Sequence, residues 1–488
     1  MTRSTAGRVV RPSREDPLVT AASEAVGGPA GEHAAGHPWW TPVRVVLAVT
    51  CLAFLVGMVQ KAPCVRTEWA DGELRYAAMC YSDVPYLYTG RGFAELNLPF
   101  SDTEGRYQTM EYPVVIGYVA YGVAAVTHAL SGWPDVDARA DLPADEVHAA
   151  PGVREESGLY FLVTAVLLAG AALLAAWFLA GAQRGRPWDA MLLAASPGLV
   201  LAGLINWDLI AVAMVAGAFW AWARGRSVLT GVLIGLGTAT KLYPMFLLGA
   251  LLVVCLRSRR MPDFGRALLA AVGAWVLVNL PVVLLAFEQW KVFWSFNAER
   301  GPDLGSLWLV WQQAGHEVTT GLVNAVSWVV FGGVCLGVLV LGLLARRTPR
   351  VAQLGFLVVA GFLLVNKVYS PQYVLWLLPL AVLARPRWRD LLIWQAGEVF
   401  YFAAVWLYLG ELTASSASGE PDRFYWLAIC VRVAAELYLM AVVVRDVLRP
   451  WHDPVSEPVS EPVSEPVSGP GPAPAAADGA RRPSAAVS

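Results

Sequence analysis

Apolar runs recur along this chain from Val43 to Val444, separated by short polar intervals rich in arginine. A bilayer-spanning helix needs about 20 mostly apolar residues. Read on that basis, the pattern predicts spans over 43–59, 158–181, 189–205, 209–223, 228–240, 245–256, 265–287, 321–345, 351–365, 373–384, 390–409 and 424–444. The expected fold class is all-α integral membrane, a bundle of about 12 transmembrane helices with a large first extracytoplasmic loop. The transmembrane domain is expected over 41–448, between a polar tail over 1–40 and a tail over 449–488. Within the second tail, 453–468 repeats Asp/Glu-Pro-Val-Ser. Neither tail has the apolar content to bury a core, so both are expected to be disordered. The first apolar run is long and lacks a small-residue cleavage site, so it reads as a retained span rather than a signal peptide.

Charge sets the orientation. Of 36 Lys and Arg residues, only Lys61, Lys241, Lys291 and Lys367 are lysines. The arginines cluster at 184/186, 224/226, 257/259/260, 346/347/350, 385/387/389 and 445/449. Basic loops face the cytoplasm, which places every cluster and both termini inside. Residues 113–130 are apolar enough to cross, but the loop 131–157 after them is acidic. A crossing there would put every later arginine cluster outside, so 113–130 reads as an interfacial or re-entrant helix within an extracytoplasmic loop over 60–157.

Composition narrows the class further. Hydrophobic residues make up 57% of the chain and charged residues 15%, against about 25% charged in soluble domains. A net charge of −2 gives no electrostatic basis for binding nucleic acid. Many of the 21 Trp and 16 Tyr stand at the ends of apolar runs, as in an interfacial aromatic belt.

Three intervals between arginine clusters, 187–223, 227–256 and 351–384, carry polar residues near their middles: Asn206-Trp207-Asp208, Thr240-Lys241-Leu242-Tyr243-Pro244 and Asn366-Lys367-Val368-Tyr369-Ser370-Pro371-Gln372-Tyr373. Each must cross an even number of times, yet an arm of about 15 residues rises only roughly 22 Å against a hydrocarbon core of about 30 Å. Polar, proline-broken backbone at that depth is tolerated where it lines a wet cavity or is buried in protein. The tips therefore predict a recessed, outward-facing cavity lined by Asp208, Lys241 and Lys367, and ionisable groups at such depth are functional candidates. The bland alternative is tilted arms with interfacial turns.

The loop 60–112 supplies two more acids, Asp83 in Tyr81-Ser82-Asp83-Val84-Pro85 and Glu111 in Glu111-Tyr112-Pro113, together with Arg91. Each acid is open to reading as a helix cap or a solvated loop residue. Cys64 and Cys80 share this loop and are candidates for a disulfide. The histidines are scattered and no metal-ligand spacing is present, so no metal site and no cofactor is expected.

Together, Leu204-Ile205-Asn206-Trp207-Asp208-Leu209, Gly235-Leu236-Gly237-Thr238-Ala239-Thr240-Lys241-Leu242-Tyr243-Pro244 and Asn366-Lys367-Val368-Tyr369-Ser370-Pro371-Gln372-Tyr373 resemble glycosyltransferase family 87 in order and spacing. Tyr81-Ser82-Asp83 and Glu111-Tyr112-Pro113 fit its first outer loop, and the resemblance covers roughly 40–445. It implies a GT-C-like enzyme in the cell membrane that moves a sugar, typically mannose, from a polyprenyl-phosphate donor to a glycolipid or glycan acceptor on the outer face. Asp83 then maps to the general base, with Glu111 as a supporting acid. Candidates for holding the donor's phosphate or sugar are Lys241, Lys367, Arg91, Asp208, Asn206, Tyr243, Tyr369 and Gln372. The chemistry agrees: inverting transfer needs a base for the acceptor hydroxyl and cations for the departing phosphate. The aromatic segment 288–311, with Trp290, Phe293, Trp294, Trp308 and Trp311, reads either as a dock for prenyl chain or sugar or as an interfacial belt. A secondary transporter and a non-catalytic lipid-binding protein are the rival classes. No repeat between the two halves supports the transporter. Acceptor identity and oligomeric state stay open.

Overall fold

A computed structural model describes residues 16–27, 38–101, 105–413 and 421–455, and every regular element among them is helical. The main helices in chain order are α1 (Pro17–Gly27), α2 (Pro42–Arg66), α3 (Asp83–Gly90), α4 (Val114–Leu130), α5 (Val153–Ala182), α6 (Pro197–Ala202), α7 (Asp208–Trp222) and α8 (Ser227–Thr240). There follow α9 (Leu247–Arg257), α10 (Met261–Leu285), α11 (Phe287–Glu299), α12 (Leu307–Gln313), α13 (Thr320–Leu344), α14 (Val351–Val365), α15 (Val374–Ala384), α16 (Trp388–Leu409) and α17 (Arg423–Leu448).

Six of these, α2, α5, α10, α13, α16 and α17, are long and apolar enough to cross a membrane. The apolar helices that carry the polar tips are shorter, at 10–17 residues. Their surroundings account for this. Helices α7, α14 and α15 are buried on nearly all sides. By contrast, α10 and α13 expose Leu277, Leu284, Val329 and Leu344, each by more than 70%. The long helices therefore present apolar surface to lipid, while the short ones end inside protein, where their unpaired terminal backbone groups find partners.

The expected span over 189–205 is not one helix. It divides into a 3-10 turn at Pro187–Ala190, a single turn at Met191–Ala194 and α6. Pro197 has no N–H to continue the helix, and Ser196 caps the restart by accepting from the Gly198 N–H at 3.2 Å. The chain over 113–130 is helical as α4 and packs against α5, α8 and α10. Parts of both expected tails are ordered. Residues 17–27 form α1, and the Asp16 carboxylate accepts from the Trp388 N–H at 3.1 Å. Residues 449–455 are held where Arg350 pairs with buried Asp453 at 2.8 Å and Arg385 donates to the His452 carbonyl at 2.7 Å. The other tail residues, 1–15, 28–37 and 456–488, lie outside the described residues.

Close packing of α8 on α10 depends on two glycines. A Cβ on Gly231 would fall 2.0 Å from the Ala267 carbonyl oxygen, and one on Gly235 would fall 2.2 Å from that of Ala271. Four residues apart, they form the small-residue seam that lets membrane helices approach closely. Gly235→Val is expected to destabilise the fold by about 1–3 kcal/mol or more, because backbone has to move to admit it. A melting midpoint in detergent equal to that of the wild type would contradict this packing.

The loop over 60–157 is folded where it is described. Cys64 and Cys80 form a disulfide with a Cα–Cα distance of 5.8 Å, tying the end of α2 to the segment that leads to Asp83. Arg139 and Glu156, both buried, pair at 2.6 Å, and Tyr88 donates to the same glutamate at 2.9 Å, fixing α3 and the loop 131–152 onto the start of α5.

Candidate active site

The polar tips and the loop over 60–157 meet at one cavity of about 730 Å³, lined among others by Asp83, Glu111, Tyr112, Asn206, Lys241, Lys367 and Gln372.

Asp83 opens α3, whose cap is the Ser82 hydroxyl. The Asp83 N–H and the Ser82 hydroxyl both donate to the Ile205 carbonyl, at 2.8 and 3.0 Å, so the loop bearing Asp83 is pinned to the tip before α7. Tyr112 donates its hydroxyl to Asp83 Oδ2 at 3.1 Å, and the Asn206 amide lies 3.5 Å from the same oxygen. The Asn206 orientation is set chemically: its Oδ1 accepts the Asp208 N–H at 3.1 Å, and since an N–H only donates, the amide nitrogen must face Asp83. Burial pushes the Asp83 carboxyl above its ordinary value. The hydroxyls of Tyr81 and Tyr112, the Asn206 amide and the Lys241 charge oppose that push without cancelling it. A carboxylate raised in this way is a better proton acceptor when ionised.

Asp208 is fully buried and does not line the cavity. It pairs with Lys241 at 2.8 Å and accepts from the Trp376 indole at 3.1 Å. Lys241 caps α8 in extended conformation, and its ammonium stands 4.4 Å from the centre of the Tyr112 ring. Asp208 therefore acts on the cavity through Lys241.

Two further cations, Lys367 and Arg300, line the cavity. Lys367 donates to Asn324 Oδ1 at 2.7 Å and to the Ala298 carbonyl at 3.1 Å, and it pairs with no carboxylate among the described residues. Burial and the neighbouring Arg300 charge push its ammonium below the ordinary lysine value. Arg300 lines the same cavity and donates to Asp303 at 2.8 Å. Its loop is stitched to the Lys367 tip by two backbone bonds, Asp303 N–H to the Lys367 carbonyl at 2.8 Å and Tyr369 N–H to the Leu304 carbonyl at 2.7 Å. Gln372, buried, accepts from the Ser370 hydroxyl at 2.8 Å.

Besides Asp208, three expected site residues stand outside this cavity. Arg91 spends its guanidinium on Glu111 at 2.6 Å, which leaves Glu111 at the wall and Arg91 behind it. Tyr243 is buried and stacks on Trp376, with ring centroids 4.7 Å apart. Tyr369 is buried and donates to Glu398 at 2.9 Å. Conversely, Arg300, Asn324 and Tyr112 join the site without having been singled out. Lys61, buried in α2, donates to the Tyr81 carbonyl at 2.8 Å and supports the segment leading to Asp83 from behind. Its signal was available: three of the four lysines in an arginine-rich chain converge here. The aromatic segment divides too. Phe293 and Trp294 line the cavity, whereas Trp308 donates to the Val365 carbonyl at 3.2 Å and Trp311 stacks on His316.

Among curated proteins, none matches the chain. Residues 155–371 match Glycosyltransferase family 87, a stretch that holds the tips bearing Asn206, Asp208, Lys241 and Lys367, while Asp83 and Glu111 lie before it. With its bilayer-length helices, the chain is a multi-span membrane protein that is similar to glycosyltransferase family 87 over residues 155–371.

Proposed function

We propose that this enzyme transfers a hexose, mannose being the sugar its family resemblance favours, from a polyprenyl-phosphate donor to a hydroxyl of a glycolipid or glycan, with inversion, on the extracytoplasmic face of the cell membrane. The carrying observation is that one cavity holds a raised carboxylate, Asp83, together with the cations Lys241, Lys367 and Arg300. Donor phosphate fits beside Lys367 and Arg300, a compact and a forked cation suited to a phosphate. Asp83 removes the proton of the acceptor hydroxyl as its oxygen bonds to the anomeric carbon from the face opposite the phosphate. The bond from that carbon to the phosphate oxygen breaks, and its electron pair leaves with the lipid phosphate. Lys241, held by Asp208, favours the ionised form of Asp83.

The cavity wall suits a lipid donor. Trp294 and Phe296 from α11 and Trp328 from α13 line it while remaining at least 39% exposed, which gives a prenyl chain a lateral route from the bilayer. Placing the cavity outside rests on the arginine clusters of the opposite loops.

Lys367→Met is expected to weaken binding of polyprenyl phosphate by about 10- to 100-fold, the worth of one charge-assisted hydrogen bond. Because the folded site lowers the Lys367 value, wild-type affinity should fall as pH rises through that lowered value, at less alkaline pH than an ordinary lysine would give. Titration of purified protein with sugar-free polyprenyl phosphate checks both. Unchanged affinity in the variant would remove Lys367 from phosphate binding.

A further inference from the structure

A second cationic feature lies at the other end of the bundle from the cavity. Helix α7 starts at Asp208, whose lysine partner lines the cavity, and ends about 22 Å away at Trp222, followed by Arg224 and Arg226. Helix α5 ends nearby at Ala182, followed by Arg184. All three arginines are exposed, and among the described residues none has a carboxylate within salt-bridge distance. Nearby arginines differ: Arg186 pairs with Asp189 and Arg260 with Asp263, both at 2.8 Å. The three are close enough that, after burial, the charges of Arg226 and Arg184 lower the Arg224 value.

Arg224 is seated rather than waving in solvent. Its guanidinium donates to the Gly181 and Trp220 carbonyls, both at 3.0 Å, bridging the ends of α5 and α7. It lies 4.0 Å from the centre of the Trp220 ring, and Arg226 approaches the same ring at 5.5 Å. Gly181 makes the seat, since a Cβ there would fall 2.9 Å from the Trp220 ring and 3.1 Å from the Arg224 guanidinium. Trp220 in turn packs on Trp177 and Phe178 at 5.6 and 5.4 Å, and Trp177 is 44% exposed. An aromatic shelf at the end of an apolar helix lies at headgroup level, and here uncompensated guanidinium groups flank it.

We propose that the Arg184, Arg224 and Arg226 corner binds the phosphate of an anionic phospholipid headgroup, in the leaflet opposite the cavity, with the lipid's acyl chains against Trp177 and the outer face of α5. Three positive charges without a protein counter-charge call for an anion. The adjoining apolar shelf calls for one with hydrocarbon attached, which free phosphate lacks. Such a lipid would clamp the ends of two helices, one of which carries Asp208 at its other end.

Full-length protein in mixed phosphatidylglycerol and phosphatidylcholine bilayers, analysed by native mass spectrometry for retained lipid, tests this independently of sugar transfer. Wild type is expected to retain phosphatidylglycerol selectively, and the triple variant R184Q/R224Q/R226Q to lose that preference by about tenfold or more, since each basic residue near an anionic surface contributes on the order of 1 kcal/mol. R346Q/R347Q removes exposed charge from another basic loop and is expected to keep the preference. Should the triple variant fold poorly, R226Q alone, which leaves the Arg224 bridge intact, is expected to lose about fivefold. Equal retention by the arginine variants and wild type, or equal loss in R346Q/R347Q, would overturn the proposal, the latter by showing only diffuse charge attraction.

Discussion

Asp83→Asn is expected to lower turnover by about 10²- to 10⁴-fold, the usual contribution of a positioned general base. The substitution keeps the shape and can still accept from Tyr112, but it removes the group able to take a proton. Stability should not fall with it. Burial raises the Asp83 value in the folded state, so folding favours the neutral acid, and that contribution is lost as pH rises through the raised value. At neutral pH the amide should therefore melt at or above the wild-type temperature, which separates a catalytic defect from a folding one. The same shift sets the acid limb of the wild-type profile: rate should climb with pH through a value above that of an ordinary aspartate. Glu111→Gln and Asp208→Asn are the comparisons. Near-normal turnover in Asp83→Asn with collapse in Glu111→Gln would move the base to Glu111.

Lys241→Met is expected to be the most damaging single change to the fold. It leaves the fully buried Asp208 carboxylate without its ion partner, and breaking a buried pair from one side costs about 3–5 kcal/mol, a large part of the roughly 5–15 kcal/mol that holds a protein folded. The double variant Asp208→Asn/Lys241→Met should recover most of the loss in thermal unfolding, because an amide still accepts from Trp376 and no bare charge remains. Activity should not recover in parallel. Lys241 is a cation that favours ionised Asp83, so the double variant's pH–rate limb is expected to move to more alkaline pH. Full recovery of both stability and the wild-type profile would make the pair purely structural.

Much of this was legible because a bilayer imposes length. The six long helices fall where apolar runs reach spanning length, and the three tips stood out as ionisable residues inside short apolar arms. The break at Pro197 was missed because hydropathy is continuous across it, and a proline's missing N–H does not alter an apolar average. Which tip residues face the cavity was not legible either. Tyr243 and Tyr369 follow their lysines by two positions, yet both turn into protein, one onto Trp376 and the other toward Glu398. Arg300 was hidden in an aromatic segment, and Asn324 is a single amide in an apolar run. The bond from Asp83 to Ile205 joins residues far apart in the chain, and no local pattern announces it.

Transfer itself tests the central claim most directly. Purified protein in bilayers is given radiolabelled polyprenyl-phosphate mannose and lipids extracted from the source cell, and label is followed from donor to product alongside donor binding. Wild type is predicted to move label into a lipid or glycan, while Asp83→Asn binds donor normally and moves about 10²-fold less or lower still. Donor bound by wild type with no label transferred to any acceptor, or equal transfer by Asp83→Asn, would contradict the account.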